Sequence, residues 1–110
     1  MELLVIVINR EDYFERLISI LVEAGVSGAT IFNSEGLGHI LTYEVPIFAG
    51  LKKFIGETKS VNRTIMAVLD NKEIFPRFKE LLAEESLDFT KAGVGIIATL
   101  PISNFIGSKV

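Results

Sequence analysis

The sequence predicts an α+β domain in which one strand–helix–strand unit is used twice. The result is a β-α-β-β-α-β sandwich with a long loop between strands 2 and 3. Three observations lead there. Two short apolar runs, LLVIVI at Leu3–Ile8 and TIMAVL at Thr64–Leu69, are each followed by a polar break and then by apolar residues at helical spacing. Each helical stretch leads into a further strand-like run, ATIFNS at Ala29–Ser34 and GIIATL at Gly95–Leu100. The halves also match in layout, with VIVIN at Val5–Asn9 standing to its helix as MAVLD at Met66–Asp70 does to its own. This is the ferredoxin-like arrangement.

Taken in order, Leu3–Ile8 is short, continuous and partly β-branched, as in a strand buried on both faces. Asn9 is placed to cap the first helix, with Glu11 and Asp12 favourable in its first turn. Its apolar stripe is Phe14, Leu17, Ile18, Leu21 and Val22, and Gly25 is a natural left-handed stop. In the second unit Asp70 and Asn71 read as turn or cap residues. Ile74–Glu85 is a helix that tolerates Pro76 in its first turn and buries Phe75, Phe78, Leu81 and Leu82. Pro101 checks the last strand, and the tail SNFIGSKV either frays or docks on a neighbour. The units cover about 1–36 and 62–102 of a single domain, leaving about 39–61 as an insertion.

Composition narrows the function. The chain has 110 residues, eight Phe and 49% hydrophobic residues, enough for one core. A net charge of −3 argues against nucleic acid, which calls for a basic patch. With no cysteine there are no disulfides, thiolate metal sites or thiol nucleophiles, in keeping with a reducing compartment. MELLVIVINRED lacks a cationic leader and its apolar run is too short to span a bilayer, so a soluble cytoplasmic protein is expected. No Ser stands in a nucleophile setting and the paired carboxylates have capping or surface explanations, so catalysis is not expected.

The strands are too apolar for a sheet with one bare face. Burying a Leu or Ile side chain is worth about 1.5–3 kcal/mol, so LLVIVI and GIIATL facing water on one side would forfeit much of a small domain's stability. Subunits closing their bare faces together, as in a ring of three, resolve this. The alternative is a monomer with a somewhat apolar surface.

Two glycine-rich segments carry the chemistry: GVSGATIFNSEGLGHI at Gly25–Ile40 and AGVGIIATLP at Ala92–Pro101. Paired glycines let backbone N–H groups converge on an anion and let a ligand approach closely. They also serve simply to shape turns at strand ends.

In this order on a duplicated unit, the two segments resemble the PII-type signal-transduction proteins, trimeric regulators of nitrogen and carbon metabolism. Gly25-Val26-Ser27-Gly28-Ala29-Thr30 is similar to the family's G-I-T-G-M-T, Glu35-Gly36-Leu37-Gly38 to K-G-F-G, and the pair Gly93, Gly95 to its second glycine loop. The resemblance implies a PII-like homotrimer binding adenine nucleotides in clefts between subunits. Gly28 and Thr30 would then lie near the base or sugar, with Ala67 in the adjacent strand. Gly36, Gly38, Gly93 and Gly95 would approach the phosphates through backbone N–H groups, with Leu37 and Val94 also in the effector site, and residues 39–61 would form a T-loop that engages a target protein. A transporter or channel fits that habit, and two lysines make a poor patch for direct membrane binding. Within the loop, Val45, Ile47, Phe48, Leu51, Phe54 and Ile55, with Lys52 and Lys53, form an amphipathic recognition element, or else a small helix packed on its own domain.

The basic phosphate grip of that family is mostly missing. His39-Ile40 stands where relatives have Arg-Gln, Ile96 where they have Lys, and Gly107 and Lys109 where they have two late arginines. Arg63, Lys91 and Lys109 remain to help hold an anion, which favours AMP, ADP, a cyclic nucleotide or a small anion over ATP. His39 is either a ligand contact or a solvated loop residue, and as a lone His it makes a poor metal site. No cofactor is required. The expected function is therefore an effector sensor, with a trimeric adaptor that has lost its ligand, or an enzyme with an intersubunit site, as alternatives.

Overall fold

A computed structural model describes residues 1–37 and 61–108. The expectations for Gly38, His39, the recognition element at Val45–Ile55 and Lys109 fall outside those residues. The described elements are β1 (Glu2–Ile8), α1 (Glu11–Ala24), β2 (Thr30–Asn33), β3 (Arg63–Leu69), α2 (Ile74–Glu84) and β4 (Gly95–Pro101). They form a four-stranded sheet in the order β2-β3-β1-β4, with every neighbouring pair antiparallel. Both β1 and β2 run opposite to β3, so they are parallel to each other with β3 inserted between them. This is the ferredoxin-like topology that the doubled unit predicts.

Period-two alternation decides what each strand buries. Leu4, Ile6 and Ile8 of β1, with Ile65, Ala67 and Leu69 of β3, are buried against the helices. Both helices add to that core, α1 through Tyr13, Leu17, Ile20, Leu21 and Ala24, and α2 through Ile74, Phe78 and Leu81. The expected stripe on α1 is corrected at Val22, which is 68% exposed. The buried arc is centred on Leu17 and Leu21, and Val22 lies about 100° further round the helix.

The opposite sheet face is apolar and less covered. The register aligns Leu100, Leu3 and Val68 in one row, Ala98, Val5, Met66 and Thr30 in the next, and Ile96, Val7, Thr64 and Phe32 in a third. Within one chain β1 is thus buried fully on one face and only partly on the other, not equally on both. Val68 and Met66 remain exposed, as do Ile96 and Leu100 on the edge strand β4.

The helix ends repeat a single device. At the end of α1, Gly25 has φ 106°, its N–H reaches the Val22 carbonyl (3.1 Å), and the Val26 N–H reaches the Leu21 carbonyl (3.0 Å). At the end of α2, Ser86 has φ 56°, its N–H reaches Ala83 (3.2 Å), and the Leu87 N–H reaches Leu82 (2.9 Å). Both are Schellman stops, each burying the residue that follows. Ahead of α2, Asn71 acts as the expected turn residue, its Oδ1 accepting from the Glu73 N–H (2.8 Å), whereas the start of α1 differs from expectation. Asn9 does not cap α1, whose N-cap is Arg10 with no side-chain cap bond.

Candidate nucleotide site

The described residues among those expected to bind an effector fall at two ends of the sheet. At one end, Gly28, Thr30 and Ala67 line a single open pocket of about 440 Å³. Ser27 and Ala29 complete the β2 side, Met66 and Val68 the β3 side, and Met1 and Leu3 the β1 side. Ala67 has its side chain in the helix-facing core, so it meets the pocket through its backbone. Asp70, which the sequence marks as a turn or cap residue, is the one ionisable side chain among the described lining residues.

The C-terminal tail closes this end. The Ile102 N–H bonds to the Met1 carbonyl (3.1 Å), which carries the β4–β1 pairing one step beyond the strand. The chain then brings Phe105 and Ser108 to the pocket. Nothing in the sequence pattern of the tail indicates this contact. Met66 and Val68 were legible as alternates of core positions, though not as pocket walls.

At the other end, four residues and about 13 Å further along β3, a polar network joins the strand termini. Asn62 Nδ2 donates to Asn9 Oδ1 (2.6 Å), the Ser34 hydroxyl donates to Asn62 Oδ1, and Ser34 Oγ lies 2.8 Å from Thr64 Oγ1. The Asn9 N–H donates to the Val94 carbonyl (2.8 Å), so the network continues to the second glycine loop. Gly36 touches the same cluster, and a Cβ there would meet Asn62 Nδ2 at an ordinary 3.5 Å.

The glycines differ in why they are glycines. Gly95 has φ 148°, and a Cβ there would clash with the Val7 carbonyl and approach Ile8 Cα to 3.1 Å, so β4 can pair with β1 only if no side chain intervenes. Gly93 also lies in the left-handed region (φ 80°), but nothing within 4 Å crowds its Cβ side. The space beside it is open. Val94 is buried in the core, while Lys91 and Leu37 are exposed. The turn leading to this loop is pinned by Asp88, whose carboxylate accepts from the Thr90 hydroxyl (2.5 Å) and N–H (2.9 Å). Those two bonds hold its acid pKa below the ordinary value.

Arg63 is engaged with α1. Its guanidinium bonds Glu11 Oε1 (3.2 Å) and stands 4.2 Å over the Phe14 ring, while its buried Nε lacks a partner. Among the described residues no group of His, Asp and Glu could hold a metal ion, and no helix is long and apolar enough to cross a membrane.

No family model and no curated protein matches the sequence. Solved structures do. The protein CPII of Thiomonas intermedia K12, described as a nitrogen regulatory PII-like protein and bound to ADP, AMP and bicarbonate, matches with a TM-score of 0.56 at 18% identity, over 99% of this chain and 94% of that one. The fold is that of PII-like proteins. CPII bound to ADP, AMP and acetate gives a TM-score of 0.56 at 19% identity, covering 89% of this chain and 81% of that one. A protein of Thermus thermophilus, provisionally described as a PII-like signaling protein, gives 0.55 at 18% identity, covering 90% of this chain and 82% of that one. The PII-like fold thus extends over both strand–helix–strand units.

Proposed function

We propose that this chain is a PII-like homotrimeric regulator that binds an adenine nucleotide between subunits. The base lies in the pocket at Gly28, Thr30 and Ala67, and the phosphates extend towards the glycine loops at Gly36 and Gly93. The observation that carries this reading is the convergence of Gly28, Thr30 and Ala67 on one cavity in a PII-like fold. The ADP and AMP bound to CPII support the ligand class, and its bicarbonate supports a small anion as a further ligand. The protein works in the cytoplasm by binding and not by catalysis. Occupancy alters residues 39–61, including His39, together with the adjoining Gly38, and the loop then engages or releases a target such as a transporter or channel. Such switching requires the nucleotide to bind the two loop states with different affinity.

Calorimetry against ATP, ADP, AMP, cyclic AMP and bicarbonate tests this. Saturable heat is expected for ADP or AMP, with ATP weaker because few cations are available. Amide exchange over residues 41–60 should slow when nucleotide is bound. No saturable heat with any of the five would favour the second reading, a trimeric adaptor without a ligand. The commitment of Arg63 to Glu11 and Phe14 speaks for that alternative, since it withdraws one of the few cations near the glycine loops.

A further inference from the structure

Resting on the nucleotide-binding reading above, we propose that Phe105 is a base-stacking residue. The C-terminal tail lays an aromatic ring beside the pocket and makes it a slot for the flat, uncharged end of the ligand. Three observations carry this. Phe105 lines the cavity together with Gly28, Ala29 and Thr30, yet the residue is 43% exposed, so it offers apolar surface to an incoming group. The small residues at 28 and 29 let a planar ligand come close to the backbone. Asp70 is the one ionisable side chain among the described lining residues, so a phosphate placed here would meet a like charge and no cationic side chain.

Gly107 seats the ring. A Cβ at that position would lie 2.8 Å from Phe105 Cζ and 3.4 Å from Cε1 and Cε2. Any side chain at 107 therefore pushes the ring from its place. Base–aromatic stacking is strong enough to be read as a large affinity change, about 5- to 150-fold on removal of the ring.

The test is ADP and UDP binding by calorimetry to the wild-type chain and to Phe105→Ala, Phe105→Leu, Phe105→Tyr and Gly107→Ala, with thermal melts confirming that each variant is folded. Phe105→Tyr should bind ADP as wild type does. Phe105→Ala and Phe105→Leu should weaken ADP by about tenfold or more and lower the preference for ADP over UDP. Gly107→Ala should weaken ADP by a smaller factor. ADP binding at wild-type strength in Phe105→Leu, or an equal loss for both nucleotides, would overturn the stacking role and leave the nucleotide reading intact. Absence of ADP binding to the wild-type chain would overturn both.

Discussion

Asn62 shows how a single side chain ties the strand ends together. Its amide gives to Asn9 and receives from Ser34, both partly buried, so truncation strands two polar groups at once. Asn62→Ala should destabilise the chain by about 1–3 kcal/mol, the cost of leaving such groups unpaired. The check is a lower denaturant midpoint with an unchanged slope. The glycines allow a sharper contrast. Gly95→Ala places a methyl against the β1 backbone at a left-handed φ and should cost more than about 2 kcal/mol. Gly36→Ala meets only ordinary contact distance and should stay within about 0.5 kcal/mol. Equal losses in the two melts would contradict this division between a glycine packed on the neighbouring strand and one with room for a methyl group.

At the scale of elements the two halves use the same helix stop with different residues. Gly25 occupies the left-handed position at no steric cost, whereas Ser86 holds it with a Cβ. Ser86→Gly should therefore raise stability by about 0.5–1 kcal/mol, the left-handed penalty less the extra chain entropy of glycine. A lower melting temperature would refute that. Elements of this kind were the legible part of the fold. Apolar period and glycine punctuation located both helices and four strands, because burial and helix termination act over a few residues. The Asn9 network was not legible, since its partners Ser34, Asn62 and Thr64 are brought together only by the sheet register. Phe105 escaped for the same reason. It comes to line the same pocket as Gly28 only after the tail has passed the start of β1.

The whole molecule raises the question of the second sheet face. Its three rows place Leu3, Val5 and Val7 at the centre, flanked by Met66 and Val68 on one side and by Ile96 and Leu100 on the other. An apolar surface of this continuity on a small chain marks an interaction site. Sister copies are the occupants that would also complete a cleft between subunits. Sedimentation at micromolar concentration should therefore find a particle of about 36 kDa, three chains of 12.1 kDa. Val5 sits at the middle of this face, and its alternates Leu4 and Ile6 build the core on the other side. Val5→Lys would set three ammonium groups against apolar surface in the closed ring, where burial of a charge costs far more than at an exposed face. Its lysine stem could lie along the open sheet of a separate chain with the charge in water. The variant should accordingly sediment as a folded single chain with native far-ultraviolet dichroism, and its nucleotide affinity should fall with the loss of the subunit clefts. A wild-type protein that sediments at 12.1 kDa, or a Val5→Lys variant that keeps the mass of three, would show that this face serves some other partner.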